Sequence, residues 1–476
     1  MTKNEIFVSA EELERQRGFI PRVRSLIGEG KKYCIQTFGC QQNEADSERL
    51  AGLCVEMGYC KTESLSEADL IIYNTCAIRE HAELKALSKA GQLKKLKEAK
   101  RSLITAICGC MIEQEHRRTQ LSKSYPYVDF VFGTDRHHAL PEMVYTALTQ
   151  KGAKAHVSSL PHNEFGIIAE GLPVVRESSY KAWVSIMYGC NNFCSYCVVP
   201  YVRGRERSRR SEDVLKEVEN LVKMGYKDIT LLGQNVNSYR GDYSFPELLD
   251  RAASFDGEYR VRFMTSHPKD ASKELIDVMA ANPRIAKHFH LPVQSGDNRI
   301  LKLMNRGYTR EEYLKKAYYI REKMPEAAIS SDIICGFPTE TEAEFDNTVD
   351  IVEKVGFDML FTFVYSPRKG TVAAEMEGQV PHEVKTARFA RLSAKENLIA
   401  EGINKQSVGK TFRVLSDGIV NPEDGIYSGR TTQNKIISFS LPEGFAPEKA
   451  AAGHFLDVKV DHAQAYALTG TALTKD

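Results

Sequence analysis

The 476-residue chain carries a net charge of +1, with 42% hydrophobic and 27% charged residues. That length holds roughly three domains, and the near-neutral balance excludes a globally basic nucleic-acid binder, leaving only local patches for such contacts. No stretch approaches the ~20 apolar residues of a membrane span, and the charged opening MTKNEIFVSAEELERQRGFI lacks the apolar core of a signal peptide. The expectation is a cytoplasmic protein with no membrane contact. Its 11 cysteines then stay reduced and serve as metal ligands or buried thiols rather than disulfides.

Residues 1–30 read as an N-terminal extension. A βα rhythm follows over 31–150, with strands predicted at 33–38, 70–74, 103–108 and 128–132 and helical stretches such as NEADSERLAGLCVEMGY between them. Strands alternating with helices predict a parallel α/β sheet covered on both faces. Residues 151–175, punctuated by Gly and Pro, read as a linker. A second βα series over 176–408 starts at KAWVSIMYGC, continues with strands near 228–232, 261–265, 288–292, 329–334 and 359–365, and leaves by a charged helix over 381–407. Six such strands predict a partial or complete βα barrel. Residues 409–476 switch to short β runs separated by Gly, Pro and Asn, the texture of a small β-barrel.

The strongest chemical signal is GCNNFCSYCVVPYVRGRERSRR. Cys190, Cys194 and Cys197 stand as C-x3-C-x2-C at the end of the first strand of the second series. Three thiolates on one loop hold three irons of a [4Fe–4S] cluster and leave the fourth open. A structural zinc site would need a fourth ligand, and no nearby Cys or His supplies one. The spacing, with Tyr196 inside it, resembles the radical S-adenosylmethionine (SAM) enzymes. That resemblance implies SAM on the open iron and its reductive cleavage to a 5′-deoxyadenosyl radical. Polar residues at successive strand ends then fit a SAM pocket: Gly233, Gln234 and Asn235, Ser266, Gln294, and Asp332 with Gly336.

Cys40, Cys76 and Cys110 each follow a predicted parallel strand. The crevice of an open α/β sheet lies at the carboxyl ends of its strands, so three such thiols converge although far apart in sequence, as ligands of a second cluster. Taken singly, each would read as a buried structural cysteine. Cys34, Cys54, Cys60 and Cys335 are assigned to cores. Cys108, just inside Cys110, is expected to point to the opposite side.

TFGCQQNEADSE, NTCAIRE, CGCM, GCNNFCSYCVVPYVRGRERSR, LLGQNVNSY, HLPVQSGDNRILKLMNRGYTREEY and DIICGFPTETEAEF together resemble the methylthiotransferases, in their tRNA-modifying branch. The resemblance runs from Lys32 onward. It departs in the extra Cys108, and the extension is assigned no counterpart. It implies an N-terminal methylthiotransferase domain, a radical SAM domain and a C-terminal RNA-binding TRAM barrel. It also implies an auxiliary [4Fe–4S] cluster on Cys40, Cys76 and Cys110 and a SAM cluster on Cys190, Cys194 and Cys197. The implied reaction is methylthiolation at C2 of N6-isopentenyladenosine 37 in the tRNA anticodon stem-loop. One SAM donates the methyl group, a second is the radical source, and an electron donor such as flavodoxin or ferredoxin drives its cleavage. Two other readings fit the residues: a methylthiotransferase of a ribosomal-protein aspartate, and a non-catalytic metal-stabilised RNA-binding protein. NTCAIRE and GQNVNSY favour the tRNA branch by resemblance.

For RNA, the run YVRGRERSRR offers Arg203, Arg205, Arg207, Arg209 and Arg210 as phosphate contacts beside the cluster loop. In the last domain Lys410, Arg413, Arg430 and Lys435 are balanced by acids, and only the TRAM resemblance assigns it to RNA. Trp183 reads as core, and His288 and His290 as structural histidines with satisfied hydrogen bonds.

Overall fold

The computed structural model describes residues 6–78, 80–150 and 166–474. Residues 1–5 of the extension, Arg79 of NTCAIRE and residues 151–165 of the predicted linker lie outside them.

The extension forms two helices, α1 (Ala10–Arg17) and α2 (Phe19–Ile27). They dock on the first sheet domain: Val23 is fully buried in its core, and Arg15 and Gln16 bond Glu142. That domain runs β1 (Lys32–Phe38), α3 (Gln41–Glu56), β2 (Cys60–Lys61), β3 (Leu70–Thr75), α4 (Glu80–Ala99), β4 (Ile104–Gly109), α5 (Glu115–Ser124), β5 (Phe130–Phe132) and α6 (Leu140–Thr149). The strands pair in parallel in the order β2-β1-β3-β4-β5. Alternate residues of β3 enter two different cores. Leu70 and Ile72 pack with α2, α3 and α6, while Ile71 and Tyr73 pack with α4 and α5. A strand buried on both faces needs an unbroken apolar run, which LII supplies.

Strand β2 is an addition to the prediction. It pairs only at Lys32–Cys60 and Tyr33–Lys61, on the sheet edge. Cys60, expected in a core, is exposed there, because two rungs of an edge strand bury nothing on its free side.

The second unit begins with β6 (Lys181–Ser185), followed by a short ribbon of β7 (Met187–Tyr188) and β8 (Arg207–Ser208) around helix α7 (Val199–Arg203). Then come β9 (Asp228–Leu232), β10 (Arg260–Phe263), β11 (His288–His290), β12 (Ala328–Cys335) and β13 (Met359–Val364). Strands β6, β9 and β10 form one parallel sheet, β11, β12 and β13 another, and a Val261–Ile285 bridge joins them. The six strands therefore stand in chain order as a partial barrel; no β6–β13 pairing closes it among the described residues. Apolar residues such as Val184, Ile229, Val261, Phe289 and Ile329 face the outer helices. Trp183, on the other side of β6, is only half-buried, which corrects its expected core placement.

At the amino ends of these strands, Asp228 lies buried between Arg260 (3.0 Å) and Arg262 (2.7 Å). Burial raises its carboxyl, but Arg262 and Arg260 outweigh that and hold it at about 2. The same arginines reach the last domain, Arg260 to the Arg430 and Thr431 carbonyls and Arg262 to Asn434. Lys181 pairs with Asp417 at 2.7 Å. The last domain thus caps the end of the barrel opposite the strand carboxyl termini. It is a closed five-stranded barrel, β14-β15-β16-β18-β17, built from β14 (Thr411–Asn421), β15 (Ile426–Arg430), β16 (Ile436–Ser440), β17 (Phe455–Ala463) and β18 (Leu468–Ala472).

Candidate functional site

The loop after β6 is shaped by a close backbone approach. Gly189 has φ +74°, and a Cβ there would stand 2.1 Å from the Arg205 carbonyl oxygen. The next residue, Cys190, donates its amide to the Gly204 carbonyl at 3.2 Å, and the Cys197 amide bonds the Cys194 carbonyl at 2.9 Å. Asn305 reaches across to the carbonyls of Asn192 and Phe193. Burial pushes the Cys190 thiol up to about 11 and the Cys197 thiol up to about 12. Both are protonated at neutral pH without a metal, so metal binding would release protons.

Arg306 sits at this loop, buried, and donates to Cys194 Sγ (3.4 Å), Tyr196 OH (3.3 Å), Tyr308 OH (3.1 Å) and the Pro292 carbonyl (2.7 Å). No carboxylate bonds it among the described residues. A buried cation without a counter-charge is costly, and an anionic thiolate-bound cluster would supply that charge. The residues present therefore fit the cluster that the spacing predicts. Arg306 lies in the quoted stretch LMNRGYT, but nothing local in the sequence marks its role.

The predicted pocket residues gather at the carboxyl ends of the barrel strands. Gln234 accepts from the Gly189 amide. Gly233 faces Met187, whose Cγ would lie 2.5 Å from an added Cβ. Asn235 is buried; its amide bonds Asp270 at 2.7 Å, and its Oδ1 has no protein partner among the described residues. The Ser266 hydroxyl donates to the His290 carbonyl, so its proton serves the scaffold. Gln294 takes a φ of +67° and donates its amide to the Asp332 carbonyl at 2.8 Å. His290 Nε2 lies 3.5 Å from Asp332, and the rings of His288 and His290 share the Ser330 hydroxyl at 2.8 and 2.9 Å. Burial pushes His288 down to about 3, so it stays neutral.

The other three cysteines are brought together by sheet register. Phe38, Thr75 and Gly109 are neighbours across β1, β3 and β4, and Cys40, Cys76 and Cys110 follow within two residues. Gly109 turns the chain at φ +96°, where a Cβ would meet the Thr75 carbonyl oxygen at 2.3 Å. Two asparagines lock the strand ends. Asn43 Oδ1 accepts from the Cys40 amide (3.3 Å), and its Nδ2 donates to Asn74 Oδ1 (3.0 Å) and to the Thr75 carbonyl (3.2 Å). Asn74 Nδ2 returns to the Asn43 carbonyl at 2.8 Å. Both lie in quoted motifs, QQNE and NTC, yet only the fold shows that they bind each other.

The Cys40 thiol bonds Asn43 Oδ1 at 3.4 Å. The neighbouring Cys76 thiol and Arg203 lower it against the effect of burial, and Cys40 in turn raises the thiol of Cys76. Cys110 is fully buried against Ala77, Val198 and Val202. Burial raises its thiol, opposed by Arg203, whose Nε lies 3.1 Å from Cys110 Sγ while Nη2 reaches Asp46 at 3.1 Å. Cys108 continues the Ile104 and Ala106 face into the core shared by α3 and α6. Strand alternation alone would put Cys108 and Cys110, two residues apart, on one face. It is the turn at Gly109, at the strand end, that sends Cys110 elsewhere. Among the described residues no three Cys, His, Asp or Glu side chains meet closely enough to grip one metal ion. In a cluster each thiolate binds a different iron, so its ligands surround a cube instead of meeting at a point.

The arginine run departs from its expected role. Arg203, Arg207 and Arg209 are buried, Arg209 between Glu170 and Glu217 and Arg207 against the Arg203 carbonyl. Arg203 ties two domains together through Cys110 and Asp46, and all three arginines are taken up inside the protein rather than offered to a phosphate. Arg205 and Arg210 are exposed and stack on Phe193 and Phe7. In the last barrel, Arg413 pairs with Glu258 and Lys435 with Asp358, while Lys410 is exposed.

A partial βα barrel with a three-cysteine loop at the carboxyl end of its first strand defines a radical SAM protein, a class that takes a [4Fe–4S] cluster and SAM. Residues 184–352 match the radical SAM superfamily, and residues 32–133 match an uncharacterized protein family, UPF0004. A radical S-adenosylmethionine methyltransferase, TsrM, from Kitasatospora setae shares the fold at a TM-score of 0.52 and 14% identity, over 83% of this chain and 80% of that one. The tRNA-2-methylthio-N(6)-dimethylallyladenosine synthase of Acetivibrio thermocellus is 46% identical, covering 98% of each chain. That of Desulforamulus reducens is 47% identical over 88% of this chain and 91% of its own. The chain belongs to the family of tRNA-2-methylthio-N(6)-dimethylallyladenosine synthases. No helix of the described residues is long and apolar enough to cross a membrane.

Proposed function

We propose that this chain methylthiolates C2 of N6-isopentenyladenosine 37 in tRNA, in the cytoplasm, using two [4Fe–4S] clusters and two molecules of SAM. The observation that carries the reading is the convergence of Cys40, Cys76 and Cys110 beside a second three-cysteine loop, with α7 between them. Near-full-length identity to enzymes bearing that name supports the tRNA branch over a ribosomal-protein aspartate. We divide the chain accordingly into an auxiliary-cluster domain (31–150), a radical SAM domain (176–408) and an RNA-binding barrel (409–476).

When bound, a cluster at Cys190, Cys194 and Cys197 supplies the electron that cleaves SAM, and one at Cys40, Cys76 and Cys110 supplies the sulfur site. The protein's part is placement and exclusion of water. Tyr196, Gly233, Gln234, Asn235, Ser266, Gln294 and Asp332 line the SAM pocket in this reading. Arg306 balances the charge at the loop. Val198 and Val202 cover Cys110 and keep solvent from it. The tRNA reaches the barrel by its anticodon stem-loop, and a flavodoxin or ferredoxin delivers the electrons.

Mass spectrometry of tRNA nucleosides from a deletion strain tests the assignment. The 2-methylthio adenosine is expected to disappear, leaving its isopentenylated precursor. Its persistence without a paralogue would overturn the reading, and loss of a methylthio group from a ribosomal protein instead would redirect it.

A further inference from the structure

Arg203 belongs to the radical SAM segment, at the end of α7 and shortly after Cys197, yet its guanidinium lies at the other site. It is 4% exposed and donates Nε to Cys110 Sγ and Nη2 to Asp46, both at 3.1 Å. Asp46 is in turn held by Gln42 (3.2 Å) and Arg49 (3.6 Å), so the arginine has a fixed seat. A guanidinium fork makes two such bonds at once, where a lysine offers a single point charge.

We propose that Arg203 is a positioning residue that orients the Cys110 thiolate and sets the reduction potential of the cluster held by Cys40, Cys76 and Cys110. The inference rests on the cluster reading above. A hydrogen bond and a positive charge on a ligand sulfur stabilise the reduced, more negative cluster and raise its potential. Burial strengthens the effect, since little solvent screens it. Asp46 opposes it by neutralising part of the charge. The loop that carries one cluster thereby tunes the other.

The test is potentiometric EPR on the full chain with Cys190, Cys194 and Cys197 all changed to Ala, which isolates the sheet-end cluster. Arg203→Gln is expected to lower its midpoint potential and Arg203→Lys to fall between Gln and the parent. Asp46→Asn, which frees the arginine's charge, is expected to raise it. In the complementary Cys40, Cys76 and Cys110 to Ala chain, Arg203→Gln is expected to leave the loop cluster's potential unchanged. An unchanged sheet-end potential in a loaded Arg203→Gln chain would overturn the inference. Should that variant fail to load, an unchanged or lowered potential in Asp46→Asn would overturn it equally. Absence of any cluster in the isolating background with Arg203 intact would instead refute the two-cluster reading, and this inference with it.

Discussion

Cys190, Cys194 and Cys197 reach their site within one short loop, whereas Cys40, Cys76 and Cys110 come from three strand ends with whole helices between them. The loop site depends on local turns, on Gly189 and on the clamp of Asn305 and Arg306. The sheet-end site depends on the register of β1, β3 and β4 and on an arginine lent by the other domain. Each site presents a buried arginine to a cysteine sulfur, but Arg203 shares its charge with Asp46 while Arg306 bonds no carboxylate among the described residues. Distant changes in sheet geometry should therefore harm one site and spare the other.

The largest effects should come from the thiols. Cys194→Ala is expected to abolish both 5′-deoxyadenosine and methylthio product, whereas Cys76→Ala keeps 5′-deoxyadenosine formation and loses the product. Chromatography of both from one reaction checks this, and equal losses would erase the distinction between the sites. Gly109→Ala comes next. It forces an L residue to φ +96° against the Thr75 carbonyl, costing ~2 kcal/mol or more. Iron should drop at the sheet end while the loop cluster keeps its EPR signal.

Asn74→Ala should be milder. It strands hydrogen-bond partners on Asn43 and Ser47 and costs ~1–3 kcal/mol in denaturant unfolding, with the loop site intact. The smallest effect is in acid. Burial raises the Asp46 carboxyl, but Arg203, His137 and Arg49 hold it below its ordinary value. A depressed carboxylate gives stability that is fully present above its unfolded pKa and lost as pH falls below about 4. Thermal unfolding across that range should show a shallower acid limb in Asp46→Asn, and the same slope in both chains would remove Asp46 from the account.

The loop site was legible because spacing within a turn is written in consecutive residues. The sheet-end trio was legible because βα alternation predicts parallel strands, and parallel strands bring their carboxyl ends to one side. The partners of those thiols were not legible. Nothing near Arg203 or Arg306 announces that a fold places them on sulfur, and Asn43 and Asn74 find each other only once β1 and β3 are in register. Arginine spacing in YVRGRERSRR looks the same whether it faces solvent or, as at Arg207 and Arg209, is buried. Cys60 and Trp183 were misplaced because residue type says little where an edge strand or a barrel interior stays open. Helices α1 and α2 went unread because their apolar stripe has meaning only against α6.

The most direct measurement is anaerobic iron and sulfide analysis of the full chain before and after changing Cys190, Cys194 and Cys197 to Ala. The account predicts about eight irons with matching sulfide in the parent and about four of each in the variant. Zinc without labile sulfide in the parent, or complete loss of iron in the variant, would contradict it.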